Sequence, residues 1–245
     1  MKALEKAFAK YYARGTVTDA ELVSATMRRI RIVADAPVTL PYTAGQHLRI
    51  QLSDPLSLHG ILRPAETLRS YSIWAYTPRE RAMELRAHLY DGDGIGLNWA
   101  RTVAPGDPVT FWGPQGDFVT GSAPYHLFAG DETAVPAFAP MIEALGPGER
   151  VFGALESDSP EADLAMPGGH ELSRVHRHGP VSVPSPKLLA AVEKLDLPGE
   201  AGAAYLAGEA RTCQRIRDHL VRDRGWPRTA VKIKPFWTPG KRGLH

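Results

Sequence analysis

Three stretches of this chain carry residue types suited to holding a polyphosphate and a flat ring. In Arg69-Ser70-Tyr71-Ser72-Ile73-Trp74, strand alternation puts Arg69, Tyr71 and Ile73 on one face and Ser70, Ser72 and Trp74 on the other. A guanidinium forks onto phosphate oxygens, an aromatic ring covers a planar heterocycle, and a small hydroxyl meets its polar edge. A plain strand with a surface Arg and a core Tyr has the same pattern. The second stretch, Asp91-Gly92-Asp93-Gly94-Ile95-Gly96-Leu97-Asn98-Trp99-Ala100, alternates glycines that let a backbone approach a ligand closely. Residues 97–101 can then open a short helix with an anion-facing N-terminus. The glycine spacing is not that of the dinucleotide fingerprint, and a Gly-rich hairpin explains it almost as well. The third stretch is Gly130-Asp131-Glu132-Thr133-Ala134-Val135-Pro136-Ala137, set between an apolar run at 126–129 and a helical stretch at 137–145. Strand, tight turn and helix leave N–H groups pointing outward, where the helix dipole favours negative charge. An ordinary strand–helix turn reads the same way.

Other chemistries find little footing. Among the nine histidines, His176 and His178 are close, but no carboxylate or cysteine pattern accompanies them, so no metal site is expected. No Gly-x-Ser-x-Gly is present, and no Ser–His–Asp or Cys–His order can be argued. The single cysteine, Cys213, cannot form an internal disulfide or supply the four thiolates of an ordinary iron–sulfur cluster, and reads as a small packed residue. The absence of disulfides suits a cytoplasmic setting. A net charge of +2 provides no broad basic field, so nucleic acid is not an expected partner. Residues 1–15 lack a signal-peptide core, and no apolar run is long enough to span a membrane, so no membrane association is expected.

The elements that must position these residues fall into two halves. The length of 245 residues, with 43% apolar and 23% charged residues, fits two globular domains. Short strand candidates at 15–33, 44–52, 68–75, 83–90 and 109–112 are separated by turn clusters, among them Asp54-Pro55, Thr77-Pro78 and Gly113-Pro114-Gln115-Gly116. That spacing predicts a closed antiparallel barrel or a sandwich. After residue 121 strands at 126–129, 150–155, 171–175, 204–207 and 230–233 alternate with helices at 137–145, 187–194 and 210–222. This predicts an α/β domain with a parallel sheet, whose ligands sit beyond the carboxyl ends of the strands. Gly130 to Thr133 and Gly208-Glu209-Ala210 lie at two such ends. Glu156 or Asp158, just after a strand, can receive a ribose hydroxyl, although an exposed loop acid is the simpler reading of either. The tail from Val231 joins Lys232, Lys234, Lys241 and Arg242 to Phe236 and Trp237, a mix suited to an anionic or aromatic ligand and equally to a soluble cationic tail.

With these segments assembled, the chain resembles the siderophore-interacting protein family, FAD-containing ferric-siderophore reductases that look like a branch of the ferredoxin–NADP reductase superfamily. The most specific piece is Gly130 to Ala137; Arg69-x-Tyr71-Ser72 resembles the family's flavin-binding Arg-x-Tyr-Ser/Thr, and Gly94 to Ala100 looks like its loop beside the flavin diphosphate. The resemblance implies a two-domain chain: an N-terminal Greek-key antiparallel β-barrel binding FAD over 1–121, and an NAD(P)H-binding α/β domain over 122–245. It implies that Arg69 meets the FAD diphosphate, that Tyr71 lies against the isoalloxazine or ribityl, and that Ser72 bonds near the reactive ring edge. Ile73 and Tyr90 join this flavin-contacting set. Leu97, Asn98 and Trp99 present N–H groups to the diphosphate, and Asp131, Thr133 and Ala134 hold the adenosine end at the domain junction. Gly208 and Glu209 serve the nicotinamide nucleotide; Lys232, Lys234, Trp237, Lys241 and Arg242 attract the ferric siderophore. The flavin carries the chemistry, so no catalytic side chain is required. The chain departs from the family where Trp74 replaces an Arg or similar residue, where Tyr90 replaces a His unless a gap lets His88 take that place, and where Gly94-Ile95-Gly96-Leu97-Asn98 replaces a Gly-Pro-Ala-Ser loop. NADH, NADPH and reduced ferredoxin all stay open as donors, the identity of the siderophore is open, and a monomer is expected. Two rival readings are another flavin or quinone reductase of the superfamily and a non-catalytic module that holds FAD or a siderophore.

Overall fold

A computed structural model describes residues 12–38, 41–53, 67–170 and 172–241. The Asp54-Pro55 turn and Arg242 lie outside the described residues. The chain divides into two compact units between Asp117 and Phe118. Phe118 belongs with the second unit because its ring packs on Phe138 and Tyr205, and the Gly121 N–H donates to the Tyr205 hydroxyl. The division therefore falls just ahead of the boundary at residue 121 that composition suggests.

The first unit is a closed six-stranded antiparallel barrel. Its strands are β1 (Tyr12–Leu22), β2 (Met27–Ala34), β3 (His47–Gln51), β4 (Leu68–Thr77), β5 (Ala82–His88) and β6 (Pro108–Gln115). They run β1-β2-β5-β4-β3-β6 around the barrel, and β6 pairs back with β1. In this Greek-key order β3, β4 and β5 are successive neighbours, and β2 lies beside β5. Strand alternation supplies the core: Ile30 and Ile32, Leu48 and Ile50, and Met83 and Leu85 point inward with Val17, Ile73 and Phe111, all fully buried. The polar residues between them face outward, where Arg29 pairs with Asp19 and Glu21. Helix α1 (Ile95–Thr102) packs on β2 and β5 and adds Ala100 and the following Val103 to the barrel core.

The second unit is a five-stranded parallel sheet. It holds β7 (His126–Asp131), β8 (Val151–Ser157), β9 (Ser173–His176), β10 (Ala203–Glu209) and β11 (Val231–Trp237) in the order β11-β10-β7-β8-β9. Every residue of the central strand β7 is buried, as expected of a strand covered on both faces. Helix α2 (Val135–Glu143) covers one face, with Phe138 against Phe128. Helices α3 (Pro186–Glu193) and α4 (Ala210–Asp218) cover the other, where Leu188, Val192, Cys213 and Ile216 pack on Leu127, Ala129 and Leu206. Cys213 is a buried member of that core. The helical stretch expected over 210–222 is α4 followed by a π-turn at His219–Asp223.

Candidate functional site

The barrel unit gathers Arg69, Tyr71, Gly96 and Trp99 at the N-terminal turn of α1. The helix starts at Gly94, which is extended and offers no side chain to cap the first turn. As in any helix its leading N–H groups have no intrahelical partner, and among the described residues Gly94 provides no side-chain cap for them. The Tyr71 hydroxyl donates to the Gly96 carbonyl at 2.7 Å, and the Tyr71 and Trp99 rings meet at 5.1 Å. Gly96 has no room for a side chain: a Cβ there would lie 2.9 Å from Arg69 Cγ and 3.1 Å from the Tyr71 hydroxyl. The missing Cβ is what lets the Arg69 stem lie along the helix start. Burial pushes the Tyr71 phenol well above its ordinary value, so it stays protonated and remains a donor.

Not every expected flavin contact is open. The Tyr71 ring packs against Trp99 on the barrel core rather than standing free on the strand. Ile73 is fully buried, and only its backbone is in use, accepting from the Tyr42 hydroxyl at 3.2 Å and donating to the Gln46 carbonyl at 3.0 Å. The Leu97 side chain is buried, so only its backbone N–H is available. Ser72 lies outside the barrel opposite His47, on the outward face of β4 that also carries Trp74, and the Arg86 guanidinium stands 4.8 Å over the Trp74 ring. Tyr90, 54% exposed, stacks on His88 just beyond β5, and Asn98 donates to the Asp93 carbonyl at 3.3 Å.

In the second unit the carboxyl ends of β7, β8, β10 and β11 surround a narrow pocket lined by Asp131, Glu156, Arg177, Glu209, Thr212 and Trp237. Asp131 stitches this end together. One oxygen accepts from the Thr133 N–H at 2.9 Å and the Thr133 hydroxyl at 2.5 Å; the other accepts from the Glu209 N–H at 2.8 Å and the Trp237 indole at 2.9 Å. A single carboxylate thus ties β7 to the turn ahead of α2, to β10 and to β11. Burial, with Glu132 adding repulsion, pushes its pKa up to about 6, while the Thr133 and Trp237 bonds pull the other way. Gly208, at φ 111°, clears the space: a Cβ would lie 2.5 Å from an Asp131 oxygen.

These bonds change what the expected nucleotide residues do. Asp131 has both oxygens engaged within the chain, and Ala134 is fully buried, so both help to build the turn ahead of α2. The Thr133 hydroxyl is likewise turned onto Asp131. Glu209 caps α4, accepting from the N–H groups of Arg211 and Thr212 at 2.9 and 2.7 Å. Glu156 is buried and accepts from the Ser185 hydroxyl at 2.8 Å, and burial raises its pKa; Asp158 is exposed. In the tail, Lys232 donates to the Val119 carbonyl at 2.9 Å, Lys234 lies on β11, Trp237 borders the pocket, and Lys241 is exposed.

Sequence reasoning missed two arginines. Arg177 forks onto Glu132 at 2.8 and 2.5 Å with both side chains almost buried, and the Glu132 bonds raise the guanidinium pKa. Arg28 donates to four backbone carbonyls, three of them at the C-terminal end of α1. In sequence Arg28 shares the parity of Ile30 and Ile32, so strand alternation sets it on their face, apart from Arg29 and Arg31, and that spacing is the signal that could have found it.

Comparison with known proteins bears on both units. A family model described as siderophore-interacting FAD-binding domain matches residues 63–118, and one described as siderophore-interacting protein matches 123–240. A Mycobacterium tuberculosis protein described as uncharacterized is 30% identical over 176 residues, 66% of this chain and 61% of its own length. The ferric vibriobactin reductase ViuB of Vibrio cholerae is 26% identical over 178 residues, 71% of this chain and 65% of its own. The chain thus spans less than two thirds of the length of these relatives. A siderophore utilization protein from T. fusca superposes with a TM-score of 0.81 over 96% of this chain and 95% of its own, at 23% identity, which shows the shared two-domain fold. The two matched models divide the chain where its barrel and its parallel sheet divide, and together they make it a member of the siderophore-interacting protein family.

Proposed function

We propose that this chain is an FAD-dependent ferric-siderophore reductase that takes electrons from NADH or NADPH and passes them to a ferric chelate, releasing the iron as Fe(II). The observation that carries the reading is the cradle at α1: an uncapped helix start, a glycine with no space for a Cβ, and an arginine stem laid beside it, within the segment matched as an FAD-binding domain. The chemistry of that cradle fits a diphosphate, which needs close backbone approach, N–H donors and a cation. In this reading Arg69 and the first N–H groups of α1 hold the FAD diphosphate, with Leu97, Asn98 and Trp99 contributing backbone. Ser72 and Tyr90 border the flavin from outside the barrel, and Tyr71 fixes α1 against β4 through its bond to Gly96. FAD, when bound, supplies the conversion of a hydride's two electrons into single electrons.

The second unit offers the nucleotide the carboxyl ends of its strands, with Gly208 keeping the backbone low beside the pocket. Lys234, Lys241 and Arg242 supply positive charge for an anionic chelate. Iron reduction loosens the chelate because Fe(II) holds hard oxygen donors less tightly than Fe(III), so no acid, base or nucleophile of the chain is called on. The likeness to ViuB, whose name gives a ferric siderophore as its substrate, supports this acceptor. The test is anaerobic: purified protein is loaded with FAD, titrated with NADH and NADPH in turn, and then given ferric chelates, free flavin or quinone, with Fe(II) trapped and measured. Bleaching of the flavin followed by Fe(II) release is expected. A colourless protein that takes up no FAD at micromolar concentration refutes the reading, and turnover of quinone or free flavin alone refutes the acceptor.

A further inference from the structure

The Arg28 guanidinium sits at the opposite end of α1 from the cradle. One of its nitrogens donates to the carbonyls of Ala100 at 2.7 Å and Arg101 at 2.6 Å; the other donates to Val103 at 2.9 Å and to Ala20, on β1, at 3.2 Å. Three of these carbonyls belong to the last turn and C-cap of α1, where helix geometry leaves oxygens without partners. A fixed cation there also complements the negative end of the helix dipole. Arg28 thus ties the helix to the hairpin of β1 and β2. A second arginine continues the clasp: Arg101, on α1 itself, donates to the Gly92 carbonyl at 2.9 Å and to the Tyr90 carbonyl, holding the glycine-rich loop against the helix.

The helix is short, eight residues, and its two ends stand about 12 Å apart. At that length its own hydrogen bonds do not hold its position, and tertiary ties must do so. The buried side chains Leu97 and Ala100 fix which face of α1 meets the barrel. The position of the helix along its own axis decides where the N–H groups at Gly94 to Leu97 point, and ties at both ends hold it: the Tyr71 bond to the Gly96 carbonyl at the start and the four Arg28 bonds at the far end.

We propose that Arg28 is a positioning residue for the cofactor: it holds α1 from behind so that the helix start presents a preformed anion cradle to the FAD diphosphate. The inference rests on the proposed flavin reading, and Arg28 itself touches no part of the cofactor. A cradle that is set before binding loses less freedom on binding, which appears as affinity.

The test compares FAD with riboflavin, which has the same ring but no diphosphate, by fluorescence titration of the apoprotein of the wild type, Arg28→Met, Arg28→Lys and Arg31→Gln. Arg31 is the control, because it lies on the same strand and pairs outward with Glu80. Arg28→Met is expected to weaken FAD by about tenfold and leave riboflavin unchanged, with Arg31→Gln like the wild type. Arg28→Lys keeps the charge but cannot fork across four carbonyls, so it should fall between the two and restore part of the affinity. Equal weakening of both flavins means a general packing role and overturns the proposal, as does unchanged FAD affinity in Arg28→Met. Should Arg28→Met not fold, Arg28→Lys decides: weakened FAD with unchanged riboflavin supports the proposal, and unchanged FAD overturns it. Failure of the wild type to take up FAD overturns the flavin reading as well, and is told apart by occurring before any substitution.

Discussion

Replacing Asp131 with Asn should change how the stability of the second unit depends on pH, with a sign that follows from burial. The Asp131 pKa rises from an unfolded value of 3.8 to about 6 in the fold. The folded state therefore holds its proton more tightly than the unfolded chain. Its contribution is fully present below 3.8 and is lost as pH rises through 6. A shift of this size corresponds to about 3 kcal/mol in all, of which about 2 kcal/mol falls between pH 4.5 and 7. Asn cannot titrate. It also places an NH2 group against one pair of the donors now facing the carboxylate, so its absolute stability includes a lost bond that is the same at every pH. The pH-dependent part of the difference reports Asp131 together with its charge coupling to Glu132, since more distant titrating groups are shared. Hydrogen exchange at the β7 and β10 amides, read in both proteins at the same pH, cancels the intrinsic exchange rate. The protection of wild type relative to Asp131→Asn should fall by about thirtyfold from pH 4.5 to 7. A ratio that does not move with pH, or that rises, would show that the four donor bonds outweigh burial and that the carboxylate is ionised throughout.

Two further substitutions probe the two units separately. Gly96→Ala places a Cβ 2.9 Å from Arg69 Cγ, so the Arg69 stem must move off the helix start. Flavin content should drop clearly, while thermal stability should not, because Ala favours a helix over Gly by about 1 kcal/mol; full flavin retention would show that the cradle is not the binding surface. Glu132→Gln leaves the Arg177 guanidinium almost buried without its directly paired carboxylate, with Glu156 and Asp131 as the remaining nearby acids. A loss of about 3 kcal/mol or more is expected in urea unfolding of the second unit, and a loss below about 1 kcal/mol would mean that water reaches Arg177.

The two-part architecture was legible in the chain because it rests on local signals. Alternation such as Leu48-Arg49-Ile50 marks half-buried strands, and the strand–turn–helix order after residue 121 marks a parallel sheet. The closeness of Arg69 to the glycine-rich loop was implied only by the family resemblance, which sets both at one diphosphate, and residue spacing alone does not carry it. The roles within each site were not legible, because they depend on which partners arrive from distant parts of the chain. Asp131 looks in sequence like a ligand at a strand end, yet Glu209 and Trp237, far along the chain, bring the donors that bind it internally. Alternation sets Arg28 on the face of Ile30 and Ile32, but only the packing of α1 on β2 supplies the carbonyls that turn it into a helix clasp. Residue type and spacing thus decide which elements form and which groups are chemically able to bind. Whether a given group faces a ligand or the chain itself is decided by burial and long-range partners, and these exist only once the strands have come together.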